Sequence, residues 1–216
     1  MGTGQTIMHG VVRTPDDGAL CVGRTLVGGT FDLLVVRVDA MGDTVWARVF
    51  AGPGNEDGNK VILRDDNTVI ICCRTSSVSD IPNQSDLWVL AVDLNGDLLW
   101  HTVVRNTGND YGFALAPTSD GGCLVTGLME DGAERTALVR LDATGHVLRS
   151  RRCTTAGWGS DIVRLYDGGY AVVGVVMGDF TELDQFVMRL DSAGNVLWSV
   201  KLIGPQTEQG SCIIEE

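Results

Sequence analysis

Asp39-Ala40-Met41-Gly42-Asp43-Thr44-Val45-Trp46 decides the fold, because its frame returns along the chain. Asp93-Leu94-Asn95-Gly96 is followed by Trp100, and Asp191-Ser192-Ala193-Gly194 by Trp198. Asp142-Ala143-Thr144-Gly145 keeps the frame but carries Arg149 where the other copies have Trp. Successive aspartates lie 54, 49 and 49 residues apart. An Asp-x-x-Gly run suits a hairpin loop with Gly at the left-handed position, so each copy marks a turn between two strands.

Working outward from the second copy, four strands can be drawn: Asn59–Leu63, Thr68–Cys73, Leu87–Val92 and Leu98–Val103. The first two are joined by a tight turn at Asp65-Asp66-Asn67, the next two by the long loop Arg74–Asp86. A glycine-rich loop, Asn106–Gly112, leads into the following unit. Asp17-Gly18, Asp66-Asn67, Asp120-Gly121 and Asp167-Gly168 read as one column of turns that require positive φ. The second and third strands are nearly continuously apolar, as in Leu33-Leu34-Val35-Val36 and Tyr170-Ala171-Val172-Val173. Strands apolar on both sides are covered on both sides. No amphipathic helix can be drawn. A period near fifty residues built from such strands predicts an all-β chain, a β-propeller of four ~50-residue, four-stranded blades. The expected organisation is one domain over 1–216, with units 10–57, 58–111, 112–159 and 160–209. The Trp column is expected to fill space between neighbouring blades.

The unit resembles a repeat of bacterial β-propeller proteins, often secreted or lipoprotein-like. Their pattern runs from a glycine-rich loop through an Asp-Gly-Gly turn to Asp-x-x-Gly and Trp. Gly108–Gly112 with Asp120-Gly121-Gly122, and Asp167-Gly168-Gly169 with Asp191–Trp198, are the best copies. The third unit departs from it at Arg149 and at Gly157-Trp158-Gly159. The resemblance covers essentially the whole chain and implies the fold; it transfers no catalytic residue.

The first-strand segment occurs a fifth time, at 210–216 around Ser211-Cys212-Ile213-Ile214. Two accounts stay open: a piece of a longer propeller, or a small propeller whose ends overlap. An array that does not close leaves apolar blade faces exposed at both ends, so the chain itself is the expected partner. The expected form is a homodimer through blade-to-blade or terminal-strand contact, completing an eight-bladed ring.

The formal charge of −12 argues against nucleic acid or an anionic membrane as the main partner. No run of eighteen apolar residues marks a membrane span, and the N-terminus lacks the features of a signal peptide. The expected location is cytoplasmic as the sequence stands, or secreted or periplasmic if a leader has been removed. Six cysteines lie outside paired CxxC spacing and read mostly as free thiols.

Ligand sites in propellers gather at the loops between blades and between the second and third strands. On that implication Asp57, Asp110, Tyr111, Trp158, Asp161 and Glu208 are the candidate ligand-binding residues. Carboxylates brought together there can take a hard cation or attack a glycosidic bond; the blander reading is that they organise loops. Trp158, between glycines, reads as a loop Trp that stacks on a flat ligand or tucks under the loop. Asp93–Asp97 lacks the full ligand set of a calcium loop. His9, His101 and His146 share no zinc spacing, so no metal, cofactor or catalytic residue is assigned. Arg135, Arg140, Arg149, Arg151, Arg152 and Arg164 read as charges protecting a sheet edge rather than as an anion site. The functional expectation is a non-enzymatic binding or assembly scaffold, with a glycan or peptide as ligand. The alternatives are a glycan hydrolase or lyase and a self-assembling structural fragment.

Overall fold

A computed structural model describes residues 5–64, 66–78, 81, 84–177, 183–202, 204 and 212–214. The described residues form sixteen strands and no helix. The strands make four antiparallel sheets, each a simple meander in chain order. Sheet 1 holds β1 (Thr6–Arg13), β2 (Ala19–Val27), β3 (Thr30–Val38) and β4 (Thr44–Phe50). Sheet 2 holds β5 (Glu56–Leu63), β6 (Val69–Thr75), β7 (Asp86–Val92) and β8 (Leu98–Val104). Sheet 3 holds β9 (Asp110–Pro117), β10 (Cys123–Glu130), β11 (Glu134–Leu141) and β12 (Val147–Ala156). Sheet 4 holds β13 (Trp158–Arg164), β14 (Tyr170–Met177), β15 (Leu183–Leu190) and β16 (Val196–Leu202). The chain falls into two compact units, Met1–Arg105 with the first two sheets and Asn106–Glu216 with the last two. Of the expected terminal strand 210–216, residues 212–214 are described and lie outside any strand; the rest fall outside the described residues.

The Asp-x-x-Gly column works as one device. Oδ1 of Asp39, Asp93, Asp142 and Asp191 each accepts two backbone N–H groups, two and four residues on, at 2.7–3.0 Å. Gly42, Gly96, Gly145 and Gly194 sit at φ between 80° and 86°, where a side chain is strained. The carboxylate of Asp93 is thus spent on its own turn, which accounts for its likeness to a calcium loop. The other turn column needs a correction by one residue. Pairing of Arg13 with Ala19, Leu63 with Val69 and Pro117 with Cys123 aligns Asp16-Asp17 with Asp66-Asn67 and Asp120-Gly121. Asp17, at φ 60°, therefore takes the left-handed place, beside Asn67 at 65°. Gly18 is needed because a Cβ there would run into the Val38 carbonyl.

A repeated ion pair ties this turn to the third strand. Arg37 reaches Asp16 and Arg140 reaches Asp120, both at 2.8 Å, and Arg189 reaches Asp167. The Thr118 hydroxyl and the Arg140 guanidinium hold the Asp120 carboxyl down to about 2. The arginine cluster of sheet 3 is likewise engaged: Arg152 pairs with Asp131 at 2.6 Å, and Arg135 donates to the Thr154 carbonyl at 2.8 Å.

Sheets pack face to face within each unit. In the first, Leu20, Val22, Leu33 and Val35 of sheet 1 meet Val69, Ile71, Cys73, Leu90 and Val92 of sheet 2. In the second, Ala116, Leu124 and Leu138 meet Tyr170, Val172, Phe186 and Met188. Each such buried side chain contributes about 1.5–3 kcal/mol relative to exposure. Trp46 locks the first junction, its indole N–H donating to the Leu94 carbonyl at 3.0 Å.

The expectation that the second and third strands are covered on both faces holds for β6, β7, β10 and β11. It fails for the stretches that suggested it. In β3, Leu33 and Val35 are buried while Leu34 and Val36 stay half-exposed, and in β14 Tyr170 and Val172 are buried while Ala171 and Val173 stay half-exposed. Sheets 1 and 4 each bury only one face fully.

Candidate functional site

The first unit contains a cavity of about 260 Å³ lined by Gly52, Pro53, Glu56, Ser77, Trp88 and His101, among others. Its walls come from the loop entering β5, the segment leaving β6, and strands β7 and β8. Glycines build the entrance loop because the two segments touch. A Cβ on Gly54 would lie 2.6 Å from the Ser76 hydroxyl, and one on Gly52 would overlap Ser77. Gly54 N–H donates to Ser77 Oγ and Asn55 N–H to Ser76 Oγ, both at 2.8 Å. The wall is therefore set before any ligand arrives. Trp88 and His101 meet edge to face, with ring centroids 6.3 Å apart and planes at 81°. The indole N–H donates to His101 Nδ1 at 3.4 Å, which places the imidazole proton on Nε2.

Behind this wall lies a pair of acids. Asp32 and Glu56 are both 2% exposed and stand within hydrogen-bonding reach of each other. Glu56 Oε1 accepts from the Thr75 hydroxyl at 3.0 Å and from the Ser77 hydroxyl. Asp32 Oδ1 and Glu56 Oε2 have no hydrogen-bond donor among the described residues, so burial leaves the Asp32 carboxyl without a partner for its charge. Burial pushes the Asp32 carboxyl up, offset in part by Glu56 and by the Gly52 N–H.

Asp32 belongs to a column that the sequence reading missed. Thr25–Asp32, Thr75–Asp86 and Val176–Asp184 are equivalent pairings at the start of the third strand, and all three acids are buried. Each serves the loop twenty residues on: Asp32 accepts from Gly52 N–H, and Asp184 from Gly204 N–H at 3.4 Å. Asp86 faces Arg105 at 3.8 Å. Sheet 3 inverts the polarity. Arg135 occupies this position and donates to a carbonyl instead. The signal was available, since Phe31-Asp32-Leu33, Ser85-Asp86-Leu87 and Leu183-Asp184-Gln185 each put an acid before an apolar strand.

None of the five sequence candidates among the described residues lines the cavity. Asp57 is buried beside it and already neutralised by Arg24 at 2.9 Å and Arg74 at 3.7 Å, with His9 Nδ1 at 3.2 Å. Arg24 in turn lies 4.5 Å over the Phe31 ring. Asp110 is fully buried at the start of β9, and Tyr111 stacks on Phe113 at 6.0 Å. Asp161 is buried in β13 and accepts from Ile213 N–H at 3.2 Å. Trp158 is not in a loop: Gly157 alone separates β12 from β13, and Trp158 is the first residue of β13, half-buried. Register places Asp57, Tyr111 and Trp158 at one repeat position, with Asp110 one residue before it and Asp161 three after. The aspartates therefore do not form one repeated set. Glu208 lies outside the described residues. No group of three His, Cys, Asp or Glu side chains is placed to hold a metal among the described residues.

The sequence matches no protein-family model and no curated protein. Solved structures do match the fold. A protein of unknown function from Dyadobacter fermentans superposes with a TM-score of 0.66 at 11% identity, covering 90% of this chain and 64% of its own. This chain thus spans less than two thirds of that protein's length. A glycosyl hydrolase from Bacteroides ovatus gives 0.54 at 9% identity, with 91% and 70% covered. A GH43 endo-arabinanase from Bacillus licheniformis gives 0.51 at 14%, with 90% and 78% covered. At such identity the likeness concerns fold alone: the four sheets are blades of the β-propeller class.

Proposed function

We propose that the protein is a non-enzymatic binding module, and that the cavity of the first unit takes a sugar ring of a glycan. The observation that carries this reading is the pairing of an aromatic wall with a polar end. Trp88 offers a flat apolar surface, as ring-stacking ligands need, and His101 offers an Nε2–H donor. The volume of about 260 Å³ suits one small ring rather than a drug-sized molecule, for which pockets of roughly 300–1,000 Å³ are usual. Glu56 is held by Thr75, Ser77 and Asp32, so it acts as a fixed part of the wall rather than as a free acid or base. Titration with a panel of oligosaccharides, followed by tryptophan fluorescence and calorimetry, tests this. A binder should lose at least about tenfold in affinity on Trp88→Ala. Equal binding by that variant, or binding by unstructured peptides instead, rejects the reading.

The hydrolase reading has one observation in its favour, two buried carboxyls, Asp32 and Glu56, in contact beside a pocket. The geometry argues the other way. Glycosidase carboxyls flank the bond to be broken at roughly 5–9.5 Å, whereas these two are in mutual contact. Hydrolysis of a glycan that disappears in Glu56→Gln, with binding retained, would establish catalysis and displace the binding reading.

A further inference from the structure

We propose that the open face of sheet 4 in one copy of this chain docks onto the open face of sheet 1 in a second copy, head to tail. The chain contains the pattern of this contact. At the first junction Trp46 of sheet 1 donates to the Leu94 carbonyl in the β7–β8 turn of sheet 2, and its ring lies close enough to Gly96 that a Cβ there would meet it at 3.1 Å. At the junction within the second unit Arg149 makes the equivalent reach, donating to Asn195 Oδ1 in the β15–β16 turn at 2.6 Å. In both, the donor lies on the fourth strand of one sheet and the acceptor in the turn between the third and fourth strands of the next.

Both halves of another such junction stand exposed. Trp198, the donor of sheet 4, is 49% exposed, and Met41 in the acceptor turn of sheet 1 is 86% exposed. Gly42, the counterpart of Gly96, has no atom within 4 Å of a built Cβ. The sheets behind them agree. Val173, Val187 and Val200 face the same side as Trp198 and are half-exposed or exposed. On sheet 1, Val11, Cys21, Leu34 and Val36 occupy the positions whose sheet-2 counterparts are buried against sheet 1, yet Val11 is 66% exposed. These strands carry apolar residues on both sides although one side is open, as expected of surfaces meant for burial. Trp198 of one copy then donates to the Ala40 carbonyl of the next, the residue aligned with Leu94. The contact is heterologous, and two copies joined at both junctions would carry eight blades.

The experiment uses the whole chain in sedimentation velocity over a wide concentration range. The wild type should associate, and Trp198→Asp (tail) and Met41→Asp (head) should each weaken association at least about tenfold. Circular dichroism and thermal melting at low concentration identify a variant that has simply failed to fold. Mixing decides the polarity: the head variant keeps a sound tail and the tail variant a sound head, so together they should form a one-to-one complex that stops at two copies. A wild type that stays monomeric, a Trp198→Asp protein that associates normally, or a mixture that does not combine overturns the proposal.

Discussion

Arg149 donates to Asn195 Oδ1 at 2.6 Å from the position that Trp46 uses to donate to the Leu94 carbonyl at 3.0 Å. Two unlike side chains therefore perform one task, fastening a sheet to the hairpin turn of its neighbour. The difference is in what else each brings. Trp46 also packs against the apolar cluster of the first unit, while the Arg149 bond is exposed. Trp46→Ala should cost about 2–3 kcal/mol, below the ~3–5 kcal/mol of a fully buried Trp. Arg149→Ala should cost less than about 1 kcal/mol. Urea denaturation of the two variants measures both, and equal losses would contradict the division of roles.

The burial of Asp32 beside Glu56 gives a pH signature. Burial raises the folded-state carboxyl of Asp32 above its ordinary 3.8, so the folded protein holds a proton that the unfolded chain releases. This contribution to stability is complete below 3.8 and is lost as pH rises through the raised value. Asn at position 32 keeps an N–H donor for Glu56 at every pH. The difference in stability between wild type and Asp32→Asn should therefore shift in favour of the variant as pH rises across that window. Thermal melts of both proteins from pH 3.5 upward follow it, and parallel curves would rule out a raised Asp32 carboxyl.

The blades were legible because their turns are chemically overdetermined: Asp must accept two amides and Gly must take positive φ, so the column stays in register through the repeats. The cavity was not legible. Trp88 and His101 occupy strand positions that read as ordinary sheet, and only pairing across β7 and β8 brings them together. The acids at 57, 110 and 161 sit in corresponding segments of the chain, but they pair with Arg74, Met129 and Val173, which stand at different heights on the second strand, and the link before β13 is the shorter one. Apolar runs in β3 and β14 gave the right residue types for two-sided coverage without saying whether the covering surface belongs to the same chain.

Gly42 and Gly96 separate backbone strain from packing. Their φ values, 86° and 83°, are nearly the same. Alanine at either place carries the conformational penalty of about 1 kcal/mol for a left-handed residue. At Gly96 the new methyl also meets Trp46 and Arg48 at 3.0–3.2 Å, whereas at Gly42 it meets nothing within 4 Å. At concentrations where the chain is monomeric, Gly96→Ala should be the more damaging by about 1 kcal/mol or more. Combining it with Trp46→Ala should abolish the excess, as a double-mutant cycle would reveal.

The thiols report on the same architecture from a different side. Cys212 is exposed, Cys21 half-buried, and Cys72, Cys73, Cys123 and Cys153 buried, none of the six in a disulfide. Thiol reagents attack the thiolate, which burial disfavours. Burial raises the thiols of Cys21 and Cys153, and it pushes Cys73, enclosed between sheets 1 and 2, well above the ordinary value. In the native protein a disulfide reagent at pH 8 should thus titrate Cys212 within seconds and Cys21 more slowly, with the other four reacting only after denaturant opens the sheets. Cys21 lies on the open face of sheet 1, so its rate should fall further as protein concentration rises if that face is covered by a second copy. A fast reaction at Cys72 or Cys73 under native conditions would mean that sheet 2 is not enclosed on both sides as described.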